Sequence, residues 1–273
     1  MDVRKYECKS YLNIVDYLDI EKGDVIYLSS GLLKMMWLCR NTNENFDADA
    51  LLNRIQEKLG AEGTLLIPTY NFDFSNKGYY DIRHSQSVVG YLGNVALARK
   101  DFQRTRHPIH SFAVWGKEKE LLCNLNNKDS FGEDSPFAYL LKHGGKEIGI
   151  GVDYTEGFTF LHYVEVKAKI PYRFYKTFQG IYVDNDGREK EYECIYPARD
   201  LSVQCTLKKE GLTSILEENG AGKRMMINGI DCFCLNLQQC YPVLLQEITQ
   251  NHSDRVFSFS KDIYSVQYEV CRD

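Results

Sequence analysis

Residues 135–165 read SPFAYLLKHGGKEIGIGVDYTEGFTFLHYVE. In order they spell a helix over 137–142, a stop at Gly144-Gly145, a buried strand over 148–152, a polar loop, and a second helix that opens with a histidine. The run Ile148-Gly149-Ile150-Gly151-Val152 suits a strand buried on both faces, and its two glycines leave room for another backbone or a ligand to come close. Thr159 is placed to cap the second helix, so His162 falls at the third helical position and Glu165 one turn later on the same face. A carboxylate at that spacing accepts the proton of one ring nitrogen and leaves the other free as a base. Taken alone, a histidine near a helix start is equally well a satisfied polar residue. Weight is added by His107, in the run RTRHPIHS over 104–111, which leads into a strand over 112–115 ending at Gly116. Two histidines delivered by separate strand ends point to one shared cleft.

Working outward, the first half of the chain alternates helix and strand as a layered α/β protein does. Helices are expected over 10–17, 47–59 (with Gly60 near its stop), 88–99 and 121–125, and strands over 24–28 and 64–68. Residues 70–87 are polar and aromatic without clear periodicity; they read as a long irregular loop, which in a compact domain is usually functional. After Pro171 the texture becomes antiparallel β. Segments 172–178, 179–183 and 191–196 surround the hairpin turn Asn185-Asp186-Gly187, and 224–227 pairs with 229–237 around Asn228-Gly229. Helices over 212–219 and 240–251 complete the chain. The expected architecture is α/β: a layered mixed sheet flanked by helices, with an additional antiparallel β-rich C-terminal portion. A single domain over 1–273 is expected, with a motif-bearing part over 1–171 and a β-rich part over 172–273 packed on it.

The chain has 273 residues, 44% of them hydrophobic, enough for a substantial core. A formal net charge of -5 argues against broad binding to nucleic acid or to an anionic membrane and suits a cationic substrate. Nine cysteines, an odd number, and the charged opening MDVRKYECKS point to the reducing cytoplasm. No apolar run approaches the ~20 residues of a membrane helix. Cys232 and Cys234 should face the same way on one strand, but no partner pair has zinc-finger spacing, so no metal is expected.

With these motifs in order, the chain resembles the antibiotic N-acetyltransferase family, the aminoglycoside 3-N-acetyltransferases. The likeness rests on Gly23-Asp24 opening a strand, EGTLLIPT over 62–69, Gly90 before its helix, and His107-Pro108 with Ser111 and Gly116. It continues through Ser135-Pro136-Phe137, Gly144-Gly145-Lys146, and Thr159 with His162 and Glu165. Each motif alone is weak; their order and spacing give the resemblance its force. It implies transfer of an acetyl group from acetyl-CoA, as cosubstrate, to an amine of an amino sugar. Such an attack on a thioester needs a neutral amine, a base for its proton, and donors for the developing oxyanion. His162 is the expected base, with Glu165 or Asp153 setting its tautomer. No G-x-S-x-G elbow is present and no cysteine lies beside either histidine motif, so direct transfer is expected instead of an acyl-enzyme.

The cofactor side is expected at the loop Ser29-Ser30-Gly31-Leu32-Leu33, whose amides and hydroxyls could meet pantetheine or phosphate near a helix start. The family commonly has His-Ser-Ser-Leu in this loop, and Ser29 stands where that histidine would be. Arg104, Arg106 and His107 are candidates for the CoA phosphates and Ser111 for the pantetheine arm; the plain alternative for the arginines is a solvated face. On the acceptor side, Tyr70, Asp73 and Asp81 lie in the long loop with Tyr79 and Tyr80, and Glu133 and Asp134 precede the Ser-Pro helix start. A polycationic aminoglycoside calls for a strongly acidic pocket, so nineteen tyrosines and a modest net charge favour the other type of acceptor, an amino sugar with one amine that needs less charge and more stacking surface. The expected partner is thus a small-molecule amine, with no nucleic acid and no membrane insertion; homo-oligomerisation is left open. Two alternatives stand beside this one: a non-catalytic member of the same fold that binds a nucleotide or glycan, and a metal-dependent hydrolase using His107, His110 and His162.

Overall fold

A period of two along the strand Val25–Ser30 sets the layers. Ile26 and Leu28 face one side of the sheet, Tyr27 and Ser29 the other, and all four are buried. The computed structural model describes residues 3–272. Its main sheet has eight strands, in the order Arg4–Tyr6, Gly222–Ile227, Ile230–Asn236, Lys146–Ile150, Val25–Ser30, Thr64–Pro68, Phe112–Gly116 and Gln103–Arg104. On one face, Ile26, Leu28, Leu65, Ile67, Ile148 and Ile150 pack against buried residues of the helices Leu33–Thr42 and Ala48–Leu59. On the other, Tyr27, Leu66, Phe112 and Phe233 pack against Pro136–Lys142, Phe160–Lys167 and Leu237–Gln250.

The strand Val25–Ser30 runs parallel to Thr64–Pro68 on one side and to Lys146–Ile150 on the other. The chain therefore leaves this strand first in one direction across the sheet and later in the other, which opens a crevice at the strands' carboxyl ends. Phe112–Gly116 is antiparallel to Thr64–Pro68, so the His107 loop that precedes it comes to the same edge. The layered mixed sheet matches the expected fold class.

The β-rich second part enters this sheet. Asn228 and Gly229, with φ of 48° and 76°, turn the hairpin formed by Gly222–Ile227 and Ile230–Asn236, and the latter strand lies antiparallel to Lys146–Ile150. A separate ribbon, Arg173–Val183 with Glu189–Arg199, turns at Gly187 (φ 82°). Residues 70–87 depart from the expected irregular loop. They contain the helix Asp73–Lys77 and the strand Tyr79–Asp81, which pairs with Ile181–Val183 far along the chain. The helix Leu33–Thr42, which follows the expected loop over 29–33, buries Met35 and Cys39 against the sheet while Leu33, Met36 and Trp37 are exposed, so its apolar residues are spread over both faces.

The two glycines of the opening motif serve different neighbours. A Cβ on Gly149 would lie 2.1 Å from Cε1 of Phe233, its cross-strand partner, so the missing side chain makes room for an aromatic ring. Gly151 has φ of +71°, and a Cβ there would lie 2.1 Å from the carbonyl oxygen of Gly31, so here the close neighbour is backbone. We expect Gly149→Ala to cost about 1–3 kcal/mol through overpacking. Chemical denaturation should show that loss, and Phe233→Leu in the same chain should recover part of it; an unchanged midpoint for the single variant would contradict this packing.

Candidate active site

Helix punctuation places His162. Asp153 caps the short helix Tyr154–Gly157, the chain turns at Phe158-Thr159, and the helix Phe160–Lys167 begins. His162 is the third helical residue and Glu165 follows one turn later, as expected. Thr159 differs: its side chain makes no capping bond and instead lines a cavity of about 130 Å³ at the carboxyl ends of the parallel strands. Ser29, Ser30, Pro68, Tyr70 and Gly157 share that lining. Thr159 and His162 are three residues apart, so they lie on one face of the helical turn.

The end of this helix brings in residues that the sequence pattern did not reveal. Lys169 adopts the left-handed conformation (φ 53°), its N–H donates to Val166 O, and the Ile170 N–H donates to Glu165 O. This is the paired hydrogen-bond pattern of a Schellman cap, with lysine at the position usually held by glycine. It folds the chain back so that Tyr172 and Arg173 land on the Glu165 carboxylate. Tyr172 donates its hydroxyl to Oε1, and Arg173 donates to Oε2 from Nε at 3.0 Å and from Nη2 at 2.6 Å.

The same Oε2 lies 2.6 Å from His162 Nδ1. A carboxylate only accepts, so Nδ1 carries the hydrogen. Arg173 Nη2 is also 2.9 Å from Nδ1, but both are then donors and the carboxylate is their common acceptor. The ring's Nε2 is left with its lone pair, on a side chain that is 44% exposed. Glu165 is fully buried and Arg173 nearly so. Burial alone would raise the Glu165 carboxyl, but the Arg173 guanidinium and His162 outweigh it and hold the group at about 2.

The other expected site residues divide clearly. Asp153 is not the partner of His162: it accepts from Thr155 N at 2.8 Å as a helix cap and pairs with Lys209. His107 does not face a ligand either. It is fully buried, its Nδ1 accepts from the N–H groups of Ile109 and His110, and its Nε2 lies 3.2 Å from Lys128 O; burial depresses its pKa to about 4. His110 is enclosed by the rings of Tyr70, Phe131, Phe137 and Tyr196, so the three histidines do not converge as a ligand set. Among the described residues no group of three or more His, Cys, Asp or Glu side chains is placed to hold a metal.

Arg104 and Ser111 are structural as well: Arg104 donates to Ser111 Oγ at 3.0 Å and to Thr69 O at 2.6 Å, and both residues are buried. Arg106 is half-buried and donates to Asn124 Oδ1. Ser29, Ser30 and Tyr70 line the cavity, whereas Gly31 and Leu33 line a neighbouring surface cleft and Leu32 is buried. Asp73 pairs with Lys77, Asp81 with Arg83, and Glu133 with Lys167, while Asp134 is exposed.

A profile described as aminoglycoside 3-N-acetyltransferase matches residues 30–247, well over half of the chain. The chain belongs to this acetyltransferase family. The SPbeta prophage-derived aminoglycoside N(3')-acetyltransferase-like protein YokD of Bacillus subtilis (strain 168) is 25% identical over 180 residues, which span 57% of this chain and 62% of that protein, less than two thirds of its length. Among solved structures, the aminoglycoside acetyltransferase AAC(3)-Xa superposes with a TM-score of 0.72 at 18% identity, covering 88% of this chain and 91% of its own. The family member AAC-IIIb, solved as a binary complex with CoASH, gives 0.70 at 17% identity, covering 90% and 97%. At these identities the solved structures establish the shared fold.

Glu165→Gln leaves a buried guanidinium without its counter-charge and is expected to destabilise by about 3–5 kcal/mol. The sign with pH follows from the depressed carboxyl. Its contribution is present above about 4.5, the ordinary value, and is lost as pH falls toward about 2. Thermal unfolding across that acid range should therefore show the wild-type advantage over E165Q shrinking as pH falls; an advantage independent of pH would contradict the ion pair.

Proposed function

We propose that the chain is an acetyl-CoA-dependent N-acetyltransferase that acts on an amine of an amino sugar, an aminoglycoside or an amino sugar nucleotide, by direct transfer. The whole chain, 1–273, acts as one catalytic unit. The observation that carries this reading is the contact of 2.6 Å between His162 Nδ1 and Glu165 Oε2, which leaves Nε2 as the free base. Membership of the family and the CoASH complex of AAC-IIIb support the choice of donor.

In the reaction, the amine nitrogen attacks the thioester carbonyl carbon while His162 Nε2 takes the ammonium proton that forms. The C–N bond is made, the tetrahedral intermediate collapses, and the C–S bond breaks to release CoA thiolate. Glu165 stabilises the imidazolium and keeps the ring oriented, as a buried carboxylate does for a catalytic histidine. The proton then leaves to solvent or to the thiolate, which restores the base. Among the described residues Glu165 is the side chain hydrogen-bonded to His162, with Arg173 beside it on the same carboxylate; no serine or cysteine bonds to the ring, which supports direct transfer over an acyl-enzyme. The cavity lined by Ser29, Ser30, Tyr70 and Thr159 is the proposed place of the acetyl end of the cosubstrate.

His162→Ala should lower kcat by about 100-fold or more, the usual worth of a positioned base, with CoA affinity nearly unchanged. Free-thiol release with a panel of aminoglycosides and amino sugar nucleotides, followed by mass spectrometry for a single acetyl gain, reads both the activity and the acceptor. Full turnover in the alanine variant would remove His162 from the chemistry. A wild-type protein that binds CoA yet acetylates no amine would favour the non-catalytic alternative.

A further inference from the structure

Glu147 lies in the middle of the main sheet with no exposure to solvent, flanked in register by Tyr27 and Leu235. The reaction outlined above does not use it. The titratable groups near it are Tyr27 on the adjacent strand, Tyr70 in the loop after Thr64–Pro68, and Cys240 on the helix Leu237–Gln250. Burial raises the pKa of each of these three, so all are neutral, and among the described residues no cation faces the carboxyl.

Proton counting decides its state. Ser29 Oγ is 2.9 Å from Glu147 Oε1 and 3.1 Å from the Gly157 carbonyl oxygen. Ser29 has one hydrogen and the carbonyl can only accept. Were Glu147 ionised, two acceptors would compete for that hydrogen, and a buried charge would stand with Oε2 unpartnered among the described residues. A protonated Glu147 removes the conflict: its O–H donates to Ser29, and the Ser29 O–H donates to Gly157. Burial, acting against the Ser29 hydrogen bond, pushes the carboxyl well above its usual range, in agreement with the count.

Gly157 is where this chain of hydrogen bonds reaches the catalytic segment. Its carbonyl also accepts the Thr159 N–H at 2.9 Å, and Thr159 O in turn accepts the His162 N–H at 2.9 Å. A Cβ on Gly157 would sit 2.9 Å from Ser29 Cβ, so the Gly157 backbone packs directly on the Ser29 side chain with no space between.

We propose that Glu147 is a protonated positioning residue, which through Ser29 and the Gly157 carbonyl fixes the segment carrying Thr159 and His162 against the end of the strand Val25–Ser30. The consequence for turnover rests on the function proposed above; the protonation and the positioning do not.

The test compares Glu147→Gln, which keeps the shape and an N–H donor, with Glu147→Leu, which removes the donor, in the full chain. E147L is expected to lower kcat about tenfold or more, through misplacement of the base, while E147Q stays within about twofold of wild type. The ring resonances of His162 in a ¹H–¹⁵N spectrum should move in E147L and hold in E147Q. Because the folded-state carboxyl is raised, its stabilising contribution is present below the ordinary carboxyl value and is lost as pH rises through the raised one. The melting temperature of E147Q should therefore gain on wild type as pH rises above about 4.5, the ordinary carboxyl value. If E147L does not fold, Ser29→Ala breaks the same relay and should move the His162 resonances alike. Unmoved resonances in the donor-less variants, equal damage by E147Q and E147L, or no pH-dependent gain for E147Q would each overturn the proposal. If wild type acetylates no amine, the functional reading fails, and the resonances and melting curves still decide the role of Glu147.

Discussion

The buried carboxylate of Glu165 is the constraint on which the site depends. One oxygen receives the Tyr172 hydroxyl; the other receives Arg173 twice and stands against His162 Nδ1. A carboxylate taken out of water is unfavourable unless nearly every lone pair is used, so the three partners belong together. They come from one helix, from Tyr172 just before the ribbon, and from Arg173 at the start of the strand Arg173–Val183, joined by the left-handed turn at Lys169. The interaction that sets the tautomer of the base thus also ties the ribbon to the main body of the fold. Arg173 reinforces this by donating to Pro197 O, on the ribbon's other strand, at 3.1 Å.

The second constraint is the sheet edge. The crevice exists because Val25–Ser30 has parallel neighbours on both sides, reached by the chain in opposite directions. Around it the sequence places groups that tolerate close approach: Gly31 and Gly151 bring two backbones together, and Gly157 presses against Ser29. The polar groups on this side, Tyr27, Tyr70, Ser29 and Glu147, are buried and hydrogen-bonded to one another or to backbone, with the Tyr27 and Tyr70 hydroxyls 3.0 Å apart. Such a network rigidifies a site when its members are satisfied. A neutral Glu147 gives Ser29 a donor and frees its hydrogen for Gly157, where an ionised one would leave two acceptors on that hydrogen.

Much of this was legible in local sequence. The Ser-Pro helix start at 135–136, Gly60 at a stop, and the turns at Gly187 and Asn228-Gly229 all act within a few residues, and the structure places them as the sequence suggested; Asp47, expected as the first helical residue, is instead the cap. The His162–Glu165 spacing was legible for the same reason. What escaped is non-local. Arg173 meets Glu165 only because a lysine occupies a left-handed cap, a position where glycine would have signalled the turn. The strand Tyr79–Asp81 takes its definition from a partner strand about 100 residues away, so its own pattern reads as a loop. Glu147 fell outside the expected strand because a charged residue normally marks a boundary; it lies inside because it can shed its charge. His107 misled for the converse reason, since a histidine that holds its own loop together has the same local sequence as one that faces a ligand.

The central claim is that Glu165 fixes His162 with its hydrogen on Nδ1 and leaves Nε2 as the base. The most direct measurement is the nitrogen-15 spectrum of the neutral His162 imidazole in the wild-type chain, with its couplings to the ring protons. The account predicts a protonated Nδ1 and a bare Nε2. A ring protonated at Nε2 under those conditions would contradict it.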